Sequence, residues 1–331
     1  MLDLNKNFEK IIANAAGAKS AGYKELIQNL WSGYGELLRY YPEGSKHKSV
    51  IVKYIDLRGV ASKKNNTDKD ISHKRKKRSY EVEIEFYKKW NTLLNDNCVT
   101  PKLLAHEILK DEMLLVLEDL DSAGYPLRKD YLEWDESLLV IEWLANFHAT
   151  FMGFNPDGLW KNGTYWHLDT RLDELKRTND KNLKIAAHKI DLKLKQLKYK
   201  TLLHGDAKTA NFCFGRDEKR VAAVDFQYVG GGCGLKDLVY FAGSAMDENE
   251  CEQRENQILD TYFSFLKNAI ERVNCKFDFN EIESEWRPLY QIAWSDFYRF
   301  LKGWGPQYCF KNSYSEKLLN KVSSELNSKD M

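Results

Sequence analysis

His204-Gly205-Asp206-Ala207-Lys208-Thr209-Ala210-Asn211, followed along the chain by Asp225-Phe226-Gln227, is the stretch whose reading decides the fold. Tyr199 to Leu203 leads into it as an apolar run, short and bounded by polar residues. Beyond it, Phe212-Cys213-Phe214, Gly215-Arg216-Asp217-Glu218 and Val221-Ala222-Ala223-Val224 read as strand, turn and strand. A short hairpin of this kind returns on itself, so Asn211 at its entry and Asp225 at its exit come side by side. A carboxylate in the preceding loop, an amide and a second carboxylate are thereby gathered in one place.

The order His-x-Asp-x-x-x-x-Asn and then Asp-Phe resembles the catalytic loop and metal motif of protein kinases. There the first Asp accepts the proton of the substrate hydroxyl, and the Asn and the second Asp bind the metals. His-Gly-Asp in place of His-Arg-Asp, and Asp-Phe-Gln in place of Asp-Phe-Gly, are departures from protein kinases, and no Ala-Pro-Glu signature follows. Both departures resemble the small-molecule kinases of the aminoglycoside phosphotransferase and choline kinase superfamily, and within it the ecdysteroid-kinase-like branch. The resemblance runs over roughly residues 25 to 305. It implies an α+β, protein-kinase-like bilobal fold, with an N-terminal five-stranded antiparallel sheet plus a helix and a mainly helical C-terminal lobe. The expected division is 1–120, a nucleotide-binding lobe ending at a hinge, and 121–331, a catalytic and substrate lobe.

Length and composition agree with that outline. At 331 residues the chain exceeds one ordinary core. The formal net charge of +1, with both signs abundant, gives no electrostatic footprint for nucleic acid. Six cysteines are scattered without a CxxC pair or metal-ligand spacing, as in a reducing compartment. No apolar run reaches the length of a membrane span, and Met1 to Lys19 carries acidic residues and no apolar h-region. The expectation is a cytoplasmic protein with a small-molecule hydroxyl substrate, no nucleic-acid or membrane partner, and an oligomeric state left open.

Toward the N-terminus, Glu25 to Trp31 and Glu36 to Tyr41 read as strands joined through Ser32-Gly33-Tyr34-Gly35. A turn with Gly33 and Gly35 lets backbone N–H groups approach phosphates with no Cβ in the way. Ser49 to Ile55 is a β-branched strand holding Lys53, and it resembles the V-A-I-K strand whose lysine contacts the α- and β-phosphates. Ser62 to Ser79, polar throughout and ending in His73-Lys74-Arg75-Lys76-Lys77-Arg78, reads as a solvated loop. In the helical pattern of Tyr80 to Trp90, the Glu-x-x-Phe-Tyr of the family selects Glu83 as the partner of Lys53. Lys102 to Ile108 and Met113 to Leu117 form a second hairpin. Leu117-Glu118-Asp119-Leu120 resembles the hinge, where the backbone at Glu118 and Leu120 reads the adenine edge.

Toward the C-terminus, Glu136 to Met152 is a long apolar helix in which His148 is expected to be structural. Gly230 to Gly234 is read as too flexible for a strand. Asp237, at the start of the next helix, is by resemblance a buried acceptor beneath the catalytic loop. Helices are expected over Glu250 to Val273, Asn280 to Trp304 and Ser313 to Leu326. The resemblance implies transfer of the γ-phosphoryl group of ATP to an alcohol: Asp206 is the base, Asn211 and Asp225 hold Mg2+, and Lys53 steadied by Glu83 aligns the phosphates. Lys208, which many relatives of this branch lack, neutralises charge on the group in flight. Trp294, Asp296 and Tyr298 are the candidate substrate residues, since aromatics beside a carboxylate suit a quaternary ammonium; a carboxylate on a mainly apolar face needs a partner, and Arg299 is the other candidate for Asp296. A choline- or ethanolamine-type kinase and a catalytically silent nucleotide-binding module are the alternatives.

Overall fold

The computed structural model describes residues 6–58 and 67–328. They divide into two compact units: Met1–Thr92 with Val99–Leu127 and Cys213–Val224, and Leu93–Cys98 with Arg128–Phe212 and Asp225–Met331.

The first unit is built on a five-stranded antiparallel sheet in the order β1-β2-β3-β5-β4. Its strands are β1 (Ser20–Asn29), β2 (Gly35–Glu43), β3 (Val50–Asp56), β4 (Leu103–Ile108) and β5 (Glu112–Glu118). Alternation decides what each face carries. Val50, Val52 and Tyr54 of β3 share one buried cluster with Leu38, Tyr40, Leu114, Val116 and with Phe8 and Ile12 of helix α1 (Lys6–Ala15). Lys53, between Val52 and Tyr54, therefore points to the opposite face. Helix α2 (Thr67–Glu85) supplies its partner there.

That helix corrects one sequence expectation. Of the Ser62 to Ser79 segment, residues 62–66 lie outside the described residues, and Thr67 onward is helix rather than loop. Lys, Arg and Glu are good helix formers, and neither Gly nor Pro interrupts the run. Nucleation is the costly step of a helix. Once Tyr80, Val82 and Ile84 are buried, turns propagate cheaply toward the N-terminus. His73 gains a contact on the way, its Nδ1 standing 2.9 Å from the Tyr34 hydroxyl.

The second unit is mainly helical, with α3 (Trp134–Thr150), α4 (Leu172–Arg177), α5 (Lys181–Lys195), α6 (Leu235–Ala245), α7 (Glu248–Arg272), α8 (Phe279–Trp286), α9 (Tyr290–Trp304) and α10 (Tyr314–Ser328). The single helix expected over Asn280 to Trp304 is interrupted at Arg287–Leu289, where Pro288 lacks the N–H to continue the ladder. Strand β6 (Thr201–Leu203) pairs with β9 (Gly230–Gly232) in this unit, while β7 (Phe212–Phe214) and β8 (Val221–Ala223) pair as a hairpin that, apart from Phe212, falls within the Cys213–Val224 stretch of the first unit. The β9 strand is a second correction. Its glycines serve close packing rather than flexibility, because a Cβ on Gly230 would stand 2.3 Å from the Trp160 carbonyl oxygen and one on Gly232 2.7 Å from Leu203. Among the described residues no helix is long and apolar enough to cross a membrane, and all six cysteines are free.

Candidate active site

The catalytic loop is fixed from below by one carboxylate. Asp237, fully buried in the first turn of α6, accepts the N–H of His204 at 2.6 Å and that of Gly205 at 2.9 Å. His148 of α3, also fully buried, faces the same carboxylate with Nε2 at 3.1 Å, and its Nδ1 takes the Tyr262 hydroxyl at 2.8 Å. This is the structural role expected of His148 and the bracing role expected of Asp237. Gly205 adopts φ +82, and a Cβ there would lie 2.0 Å from the Tyr228 carbonyl oxygen. No other residue fits that position without displacing backbone.

Asp206 follows, 6 % exposed. The amide nitrogen of Asn211 donates to its backbone carbonyl at 2.7 Å and to Oδ2 at 3.2 Å, and the Lys208 ammonium stands 3.5 Å from Oδ2. Oδ1 is buried with no hydrogen-bond partner among the described residues. Burial pushes the Asp206 carboxyl up to about 7; Lys208 opposes this and the nearby charge of Asp225 reinforces it. A carboxylate so placed is poised to take a proton near neutrality. The half-exposed Lys208 is within reach of the same space.

The hairpin of β7 and β8 ends where the sequence places it, with Asn211 before the first strand and Asp225 after the second. Asp225 has φ 68, a left-handed conformation that Asp tolerates better than most residues. Its Oδ1 accepts from Gln227 Nε2 at 2.6 Å, which gives the unusual third residue of Asp-Phe-Gln a task. Phe226 is fully buried against His204, with ring centroids 4.7 Å apart. Asn211 turns its NH2 toward Asp206, so its amide oxygen is the end left for a cation. One amide oxygen and one carboxylate are the hard donors that magnesium takes from a protein when phosphates and water complete its shell. The donor set fits that ion; among the described residues there is no cluster of three or more His, Cys, Asp or Glu that could hold a metal.

In the first unit, Lys53 Nζ contacts Glu83 Oε2 at 2.7 Å, with both side chains buried. The pair chosen from sequence is brought together. Gly33 and Gly35 flank the β1–β2 turn with φ of +74 and +142, and a Cβ on Gly35 would meet the Tyr54 carbonyl oxygen at 1.9 Å. Gly33, by contrast, faces open space. Glu118 donates its N–H to the Lys102 carbonyl, and the Leu120 carbonyl accepts from Tyr125. Between them, the buried carboxylate of Asp119 takes Arg39 Nε at 2.7 Å and the Ser49 hydroxyl at 2.6 Å, which ties this segment to β2 and to the residue that precedes β3.

Trp294, Asp296 and Tyr298 do not share a surface. On α9, residues 294 and 298 lie on one face and 296 on another. Trp294 donates to Ser315 at 2.8 Å, and Tyr298 points its hydroxyl at the Phe310 carbonyl at 3.5 Å; all three side chains are buried. Asp296 meets Lys236 at 2.9 Å and Arg299 at 2.7 Å and accepts from the Trp166 indole at 3.2 Å. Burial raises its carboxyl, yet Arg299 and Lys236 together hold it well below the usual carboxylate range. Asp296 is thus the anion of an internal charge centre and not a free counter-charge. Asp296→Asn, which strands two cations in the interior, is expected to lower unfolding free energy by about 3 kcal/mol or more. A denaturant titration checks it, and an unchanged midpoint would show the three charges to be solvated.

The profile of the family described as ecdysteroid kinase-like matches residues 37–157 and 161–275. No curated protein matches the chain. Among solved structures, one from Ralstonia eutropha described as an aminoglycoside phosphotransferase aligns at 10% identity with a TM-score of 0.50, covering 97% of each chain. A Plasmodium vivax ethanolamine kinase aligns at 10% identity and a TM-score of 0.49 over 93% of this chain and 84% of that one. A choline kinase from Streptococcus pneumoniae aligns at 14% identity and a TM-score of 0.47 over 98% of this chain and 100% of that one.

Proposed function

The chain belongs to the ecdysteroid kinase-like family, and from that membership and the oxygen cluster around Asp206 we propose that it transfers the γ-phosphoryl group of ATP to a hydroxyl of a small molecule. The observation that carries this reading is the Asp206 carboxylate. It is buried, raised to about 7 and left with one unpartnered oxygen among the described residues, beside an amide and a second carboxylate. In the reaction, the alcohol oxygen bonds to the γ-phosphorus while the bridging P–O bond breaks and its electron pair leaves on ADP. The alcohol proton passes to Asp206. Lys208, 3.5 Å from Asp206, would balance charge on the phosphoryl oxygens, and Lys53, paired with Glu83, would hold the α- and β-phosphates. Magnesium held by Asn211 and Asp225 would neutralise the triphosphate and polarise its γ-phosphorus. The adenine edge would be read by the Glu118 carbonyl and the Leu120 N–H, the two backbone groups complementary to those already bonded to Lys102 and Tyr125.

A choline- or ethanolamine-type acceptor is the runner-up, and its motive weakens here. Asp296, the carboxylate that would answer a quaternary ammonium, is already neutralised by Lys236 and Arg299. Nucleotide binding is tested by calorimetry with Mg-ATP. The wild-type protein is expected to bind, and Lys53→Met to weaken binding by about tenfold or more, the loss of one charge-assisted contact. No heat of binding from the wild type would contradict the reading.

A further inference from the structure

Helix α6 presents Asp237, Tyr240 and Ser244 at the spacing i, i+3 and i+7, which is one face of a helix. The two ends of that row are bonded to the catalytic loop in sequence order. Asp237 takes the N–H groups of His204 and Gly205, and Ser244 Oγ takes the N–H of Thr209 at 2.9 Å. Tyr240, between them, is therefore set opposite Asp206. Burial first, then the Asp206 charge, and after these Tyr165 and the contact of the phenol with the Asp206 side chain, raise Tyr240 well above its ordinary range, so it remains a proton donor at neutral pH beside Asp206.

A second tyrosine is built into the same loop. Tyr165 donates its N–H to the Gly205 carbonyl at 3.2 Å, and its hydroxyl donates to that of Tyr240 at 3.2 Å. Since Tyr240 accepts this bond, its own O–H hydrogen is directed elsewhere. Asp206 Oδ1 is the buried acceptor with no hydrogen-bond partner among the described residues. Around the pair lie ring faces: Tyr240 stands 4.9 Å from Phe297 and 4.8 Å from Trp166, and Tyr165 5.7 Å from Tyr228, centroid to centroid. Tyr165, Tyr228, Tyr240 and Phe297 are each only partly buried.

We propose that Tyr240, held by Tyr165, orients the acceptor alcohol: its O–H donates to the alcohol oxygen while the alcohol proton faces Oδ1 of Asp206. The inference rests on the kinase reading above. Two hydrogen bonds fix the oxygen in both distance and direction, and the carbons beside it lie against the rings. In the transfer step the alcohol proton goes to Asp206, and Tyr240 keeps its own. Such positioning acts on the near-attack geometry of the alcohol and not on the nucleotide.

ADP release is measured with Mg-ATP in water and with glycerol, cyclohexanol, 2-phenylethanol or choline added, alongside Mg-ATP affinity by calorimetry. Tyr240→Phe should lower kcat/KM for the best alcohol by about tenfold or more, the loss of one hydrogen bond to the reacting oxygen, with Mg-ATP affinity within about twofold of wild type. Tyr165→Phe should lower it in the same direction by a smaller factor. Unchanged kcat/KM in Tyr240→Phe overturns the inference, as does a parallel loss of Mg-ATP affinity, which would mark a purely structural role. If the wild type releases no ADP beyond the water reaction with any alcohol, the kinase reading itself fails and Tyr240 falls with it.

Discussion

Asp206→Asn is expected to abolish alcohol-dependent turnover by a factor on the order of 10² or more while leaving Mg-ATP affinity nearly intact. The substitution keeps the size and shape of the side chain and removes only its capacity to take a proton. Stability should not suffer. A carboxyl whose pKa is raised by burial costs stability progressively as pH rises from the ordinary carboxylate range through about 7, so at pH 8 the full cost of the charged form is present and Asn lifts it. Thermal melting at pH 8 therefore checks that lost turnover is not lost fold. Equal turnover in the variant and the wild type would remove Asp206 from the base role.

The second large effect is at Asp225. Asp225→Ala should reduce magnesium-dependent ATP binding by about 10²-fold, because the triphosphate charge is then left largely to Lys53. Backbone strain complicates that variant, since Ala resists the φ of 68 that Asp225 adopts. Asp225→Asn tolerates the conformation and keeps one oxygen. It is expected to show the same loss of metal dependence without the loss of melting temperature. Unchanged Mg-ATP affinity in both variants would sink the assignment of Asp225 as a metal ligand.

Much of the site was legible in the sequence because its parts are local. Asp206, Asn211 and Asp225 are joined by one short hairpin, and a two-strand turn has few ways to close. Lys53 and Glu83 were findable for a different reason: the β-branched strand of Lys53 resembles the V-A-I-K strand and Glu-x-x-Phe-Tyr resembles the family's helix pattern, and the structure pairs the two side chains. Where the partner lies on a distant element and no family pattern marks it, the sequence does not show it. Arg299, three residues on, was legible as a partner of Asp296 and is one, whereas Lys236, the second cation beside it, lies on another helix altogether. Thr67 to Ser79 looked like a loop because its composition is polar, yet helix propagates outward from the buried Tyr80 to Glu85 end. Gly230 to Gly232 looked flexible, and the reason for those glycines is the closeness of Trp160 and Leu203 rather than freedom of the backbone. The row Asp237, Tyr240, Ser244 was also visible as a helical spacing, though only the bonds to the loop give it meaning.

The central claim is that this chain moves a phosphoryl group from ATP to an alcohol, and it is tested most directly by mass spectrometry. The protein is incubated with Mg-ATP and a small-molecule extract, and the same incubation is run with Asp206→Asn. The account predicts a hydroxyl-bearing compound that gains about 80 Da, one transferred phosphoryl group, with the wild type and not with the variant. Binding of Mg-ATP with no compound gaining that mass would contradict it, and would leave a nucleotide-binding module in which the chemistry is lost.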